Sequence, residues 1–91
     1  MARVLAFVDI FVESPEMDNV VKALSQLENM VAIYEVTGEY DIVTLVTAPD
    51  IERFRSILKD KILKIKGVKS TVSSLVLKEH PGMASRIKRE E

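Results

Sequence analysis

Residues 3–13, Arg-Val-Leu-Ala-Phe-Val-Asp-Ile-Phe-Val-Glu, alternate between two rows that both demand cover. Val4, Ala6, Val8, Ile10 and Val12 make an unbroken apolar row. Arg3, Leu5, Phe7, Asp9, Phe11 and Glu13 make the other, in which large apolar groups mix with charges. β-branched and aromatic residues suit a pleated strand, and a period of two sends the rows to opposite faces. Helices can pack under the unbroken row. A solvated face rarely carries Leu5, Phe7 and Phe11 together, so that side calls for a partner that is only partly dry.

Downstream signals complete a short list of elements. Ser14-Pro15-Glu16 reads as a helix start, with Ser14 as N-cap, Pro15 at the first helical position and Glu16 near the positive dipole end. Val20, Val21, Leu24 and Leu27 follow at helical spacing, predicting a helix over 15–28. Residues 31–37 and 40–47 read as two strands joined by a tight polar turn, Gly38-Glu39-Tyr40-Asp41, in which Gly38 is free to take a positive φ. Ala48-Pro49-Asp50 stops the second strand and caps a helix over 50–64, with Ile51, Phe54, Ile57, Leu58, Ile62 and Leu63 along one side. Lys66-Gly67 ends that helix, and 68–78 reads as the last strand. From Glu79 the pattern dissolves through His80-Pro81-Gly82 into a charged, exposed arm, dividing the chain into a domain at 1–78 and an arm at 79–91.

The order β-α-β-β-α-β predicts an α+β, ferredoxin-like fold: a four-stranded antiparallel sheet with both helices on one face. The opposite face, carrying Leu5, Phe7 and Phe11, is left bare, and homodimerisation through it is the simplest way to cover it. Size argues in the same direction. A single domain of 91 residues buries only roughly 60–65% of its unfolded surface, yet 47% of this one is hydrophobic. The surplus is expected at a subunit interface.

Composition also excludes function classes. The net charge is −1 and the pI about 5.9, so no electrostatic footprint points to nucleic acid as a direct partner. Lys59, Lys61, Lys64, Lys66 and Lys69 gather around the end of the second helix, where cations complement the macrodipole; Arg86, Lys88 and Arg89 lie in the tail. Without cysteine there is no disulfide, thiolate or zinc-thiolate site. No signal peptide or membrane-length apolar run is present, which fits a cytoplasmic protein with no membrane partner.

Catalysis has little material. His80, the single histidine, lies beside Pro81-Gly82, outside the packed elements, and no base can be nominated for a serine nucleophile. Asp9, Glu13, Glu16 and Asp18 are dispersed by strand alternation and helix turn, and three glycines make no phosphate cradle. No catalytic residue, metal ligand or cofactor is therefore predicted. Asp9, a carboxylate in an apolar strand, is expected to meet Arg3 or a subunit partner.

A binding constellation is better supplied. In the run Ser70-Thr71-Val72-Ser73-Ser74, Thr71 and Ser73 share a face and offer hydroxyls. Asp41 offers a carboxylate for an ammonium group, and the main-chain amides from Gly38 to Tyr40 offer donors. Together they could satisfy both ends of a zwitterion. The plainer alternative stands beside it: an ordinary exposed strand, and an aspartate that stabilises its turn.

The sequence Val36-Thr37-Gly38-Glu39-Tyr40-Asp41, then Phe54, then Gly67-Val68-Lys69-Ser70-Thr71-Val72-Ser73-Ser74-Leu75-Val76-Leu77, resembles the effector (RAM) domain of Lrp/AsnC transcription regulators. The resemblance covers roughly residues 3–78. Ser73 stands where the family often has threonine, which keeps the hydroxyl. The resemblance implies dimers that assemble into rings, typically octamers or decamers, with amino-acid effectors bound between dimers. Carried onto this chain, the effector-binding positions are Thr37, Gly38, Tyr40, Asp41, Thr71 and Ser73.

Full regulators begin with a helix-turn-helix domain, whereas this sequence opens at Met1 directly with a strand. The expectation is therefore a stand-alone RAM module that does not itself bind DNA. It would sense an amino acid or modulate full-length Lrp/AsnC regulators through mixed assembly. The alternatives are a ligand-free interaction subunit of such regulators, a small dimeric ferredoxin-like enzyme, and an ACT domain. The enzyme is disfavoured by the absence of Trp and the peripheral His80, the ACT domain by Ser14-Pro15-Glu16 in place of a glycine-bearing loop.

Overall fold

The two-faced N-terminal strand forms as β1 (Val4–Val12) and lies inside the sheet, paired on both sides. In the computed structural model, which describes residues 3–86, the chain then runs through a 3-10 turn (Ser14–Glu16) into α1 (Met17–Ser25). β2 (Met30–Glu35), β3 (Ile42–Ala48), α2 (Ile51–Ile57) and a π turn (Leu58–Ile62) follow. β4 (Val68–Leu75) and a 3-10 turn at Met83–Arg86 complete it. Met1, Lys88, Arg89 and the rest of the arm beyond Arg86 lie outside the described residues.

The four strands run antiparallel in the order β2-β3-β1-β4, the ferredoxin-like arrangement predicted from the element order. The unbroken row of β1 faces the helices: Ala6, Val8 and Ile10 are fully buried with Ile42 and Val46 of β3, Val20 and Leu24 of α1, and Ile62. Thr44, the one buried polar residue among those described, donates its Oγ1 hydrogen to the Val8 carbonyl at 3.0 Å. That bond satisfies the hydroxyl, which would otherwise be costly in an apolar layer.

Both outer strands carry a bulge. On β2, Met30 faces Val46 while Ala32 faces Leu45, leaving Val31 as the extra residue. On β4, Ser70 faces Phe11 while Val68 faces Val12, leaving Lys69 extra.

Several boundaries differ from those read in the sequence. Ser14 is no N-cap. It is already inside the 3-10 turn, whose cap position is Glu13 with no side-chain hydrogen bond, and α1 stops at Ser25 rather than at 28. Proline suits the first position of either helical type, so the sequence signal marks entry without specifying pitch. The connection between β2 and β3 spans Val36–Asp41, longer than a tight turn, and β4 ends at Leu75, although the Val76 N–H still donates to the Leu5 carbonyl at 2.8 Å.

The second helix is not one α-helix. Asp50 caps it as expected, its Oδ1 accepting from the Arg53 N–H at 2.7 Å, but after Ile57 the turn widens and Leu63 N–H reaches back to the Leu58 carbonyl at 2.9 Å. A continued α-helix would turn Lys61, seven residues after buried Phe54, toward the sheet. The inserted residue instead turns Ile62 inward and Lys61 outward, while Ile51 and Leu63 are exposed, contrary to the predicted stripe. Among the described residues no helix is long and apolar enough to cross a membrane.

Candidate functional site

Asp41 fastens the β2–β3 connection to the end of β1. Its N–H donates to the Ile10 carbonyl at 3.1 Å, its carbonyl accepts from the Val36 N–H at 3.1 Å, and its Oδ2 accepts from the Val12 N–H at 2.8 Å. The side chain thus continues the β1–β3 ladder after the main chain has turned away. Its Oδ1 makes no hydrogen bond among the described residues. Asp41 therefore has a structural role, while one oxygen stays free for a cation.

The loop held in this way is exposed from Val36 to Glu39. Gly38 has φ +116°, and a Cβ added there would meet nothing within 4 Å, so glycine is required by backbone angle and not by crowding. Among the described residues the N–H groups of Gly38, Glu39 and Tyr40 donate to no protein acceptor. Tyr40 folds back onto Phe11, ring centroids 4.9 Å apart at 57°. Such a tilted pair contributes about 0.5–1.5 kcal/mol beyond the area it buries. The sequence assigned Phe11 to the sheet face and Tyr40 to the loop but did not join them. An aromatic at a strand end next to an aromatic loop was the available signal.

Thr71 and Ser73 do share a face, as alternation required. Thr71 pairs with Ile10 and Ser73 with Val8, so both stand on the helix side of the sheet, on the free edge strand. Thr71 is half-buried and Ser73 exposed. The predicted residues thus form two groups. Thr37, Gly38, Tyr40 and Asp41 sit together at the loop, with Tyr40 leaning toward Phe11 on the open face. Thr71 and Ser73 lie beyond β1, on the other face and at the edge. The loop is not directly beside β4, because Ile10 of β1 stands between Asp41 and Thr71.

The open face is as apolar as the N-terminal row foretold. Phe7 faces Leu45 on one side and Ser74 on the other, and Asp9 faces Val43 and Val72. Phe7 and Val72 are 42% and 43% exposed, Leu5 and Phe11 half-buried. A shallow depression of about 280 Å³ runs along Leu5, Phe7, Leu45, Val76, Lys78 and Glu79. The expected Arg3–Asp9 contact does not form. Six residues of extended strand separate the two, and Arg3 Nε donates instead to Thr47 Oγ1 at 3.2 Å. Half-buried Asp9 has no cation within ion-pair distance among the described residues.

Known proteins share this arrangement. A model of the Lrp/AsnC ligand binding domain matches residues 5–83. FL11 of Pyrococcus abyssi, an HTH-type transcriptional regulator, is 37% identical over 76 residues, 84% of this chain and 50% of FL11. The chain spans about half the length of the curated relatives it first matches. Among solved structures, TTHA0845 from Thermus thermophilus superposes with a TM-score of 0.81 at 30% identity, over 87% of this chain and 99% of that one. The feast or famine regulatory protein of M. tuberculosis, solved in complex with L-methionine, superposes with a TM-score of 0.75 at 26% identity, covering 88% of this chain and 54% of its own.

Proposed function

Because this chain belongs to the Lrp/AsnC ligand-binding domain family, we propose that it is an amino-acid-responsive assembly module. Copies pair through the face bearing Leu5, Phe7 and Phe11. The effector is held in crevices where further copies meet, by the loop at Thr37, Gly38, Tyr40 and Asp41 and by the hydroxyls of Thr71 and Ser73. The family match over residues 5–83 carries this reading. The chemistry of the loop supports it: the free amides from Gly38 to Tyr40 suit a carboxylate, and Asp41 Oδ1 suits an ammonium. The separation of the loop from Thr71 and Ser73 also favours a site completed between copies over one within a protomer.

The reading includes no enzymatic role, in keeping with relatives such as FL11 that are named as transcriptional regulators. An effector moves such an assembly only by binding one state better than another. Isothermal titration with L-methionine first, then the other nineteen amino acids, should find at least one that binds and shifts the light-scattering mass. An assembled protein that binds none of the twenty would refute the sensor. A second reading is a subunit that joins full-length Lrp/AsnC regulators, in keeping with relatives named as transcriptional regulators. Co-purification of such a regulator with the tagged chain from its native host is the expected result there.

A further inference from the structure

Charge in this chain is segregated along the sequence, and the topology carries part of that segregation across the molecule. Between Val4 and Ala48 there are eight carboxylates and one cation, Lys22; between Ile51 and Lys69 there are seven cations and two carboxylates, Glu52 and Asp60. The acidic stretch contains α1, which packs toward β2 at one edge of the sheet. The basic stretch contains α2, the π turn and the loop that descends into β4 at the other edge.

All seven cations are exposed, and among the described residues only Lys66 approaches a carboxylate, 4.0 Å from Glu16. The π turn adds to this polarity, since it turns Lys61 out beside Lys59 and Lys64. Toward the β2 edge Glu28 and Glu35 are exposed, with Glu39 in the loop after β2, while Glu13 and Glu16 lie instead against Lys66 and Gly67.

We propose that these two flanks dock on each other between copies, the basic α2–β4 flank of one against the acidic α1–β2 flank of the next. This surface is distinct from the sheet face. Its contact is heterologous, so it propagates from copy to copy until it closes into a ring, whereas face-to-face pairing stops at two. A polyanion would suit the basic flank alone, but the acidic flank and the net charge of −1 would repel it. A second copy neutralises both flanks at once. The inference rests on the reading above that copies assemble beyond a pair, and it names the force that holds the further contact.

Sedimentation velocity of the intact chain from about 50 mM to about 500 mM NaCl tests it. The Debye length falls from above 10 Å to about 4 Å over that range. Species larger than a dimer should dissociate, with an association constant about tenfold lower or more. At low salt, the variant Lys59→Glu/Lys61→Glu/Lys64→Glu and the variant Glu28→Lys/Glu35→Lys should each stop at the dimer, and mixing them should restore the larger species. Circular dichroism checks that each is folded, and the salt series on the unaltered chain decides the matter if one is not. Absence of any species beyond the dimer at low salt, insensitivity to salt, or a folded mixture that stays dimeric would overturn the proposal. Effector binding with salt-insensitive assembly would sink this inference alone. Salt-sensitive assembly without effector binding would sink only the sensor.

Discussion

Asp41 holds the Val12 N–H through one oxygen and is proposed to hold the effector through the other, and a pair of substitutions separates the two roles. Asp41→Asn keeps an acceptor for the Val12 N–H but removes the charge. Its melting temperature should stay near that of the parent, while effector affinity falls about tenfold or more. Asp41→Ala should lose the effector too and cost about 1–2 kcal/mol in urea unfolding, since the Val12 donor is left without its partner. An Asn variant that binds as well as the parent would mean the charge never touches the effector. Gly67 is a purely structural counterpart. Its φ is +104°, and an added Cβ would run into the Cβ of Glu16, so Gly67→Ala should destabilise by about 2–4 kcal/mol in the same assay. The sequence suggested Gly38 and Gly67 as punctuation and Asp41 as a turn residue. That Asp41 reaches Val12, 29 positions away, is a tertiary fact that no local pattern encodes.

At the scale of elements, what alternation encodes was legible and what pitch decides was not. The two rows of β1, the shared face of Thr71 and Ser73 and the cap at Asp50 follow from side-chain period and hydrogen-bonding chemistry. The π turn does not, because a run such as Leu58-Lys59-Asp60-Lys61-Ile62-Leu63 accommodates either pitch until the sheet selects one. The same limit hid the separation of the loop from Thr71, which depends on which strand lies between them. The wide turn makes a sharp pair of predictions. Ile62→Ala should cost about 2–4 kcal/mol, as a fully buried isoleucine does, whereas Lys61→Ala should stay within about 0.5 kcal/mol. A continuous α-helix would put Lys61 on the core side, so comparable costs at the two positions would contradict the insertion.

For the whole molecule, the decisive surface is the uncovered side of the sheet. Phe7 stands near its middle with Leu45 opposite, and Phe7→Glu places a charge on the surface through which pairing is proposed. That variant should sediment as a folded monomer at concentrations where the parent is paired, with dimer affinity lowered about 100-fold or more. A dimer of unchanged strength would assign the pairing to another surface.

The extra residues Val31 and Lys69 have a consequence for how such a molecule multiplies. Two strands with unpaired backbone form its rims, a template on which chains could zip into fibres without end. Each rim is kinked by one surplus residue, and on β4 that residue is a lysine. Growth by strand addition is thereby discouraged at both ends, leaving broad surfaces as the route by which copies can meet while remaining soluble. Deleting Val31 would straighten one rim and invite thioflavin-positive aggregates from a protein whose core is intact.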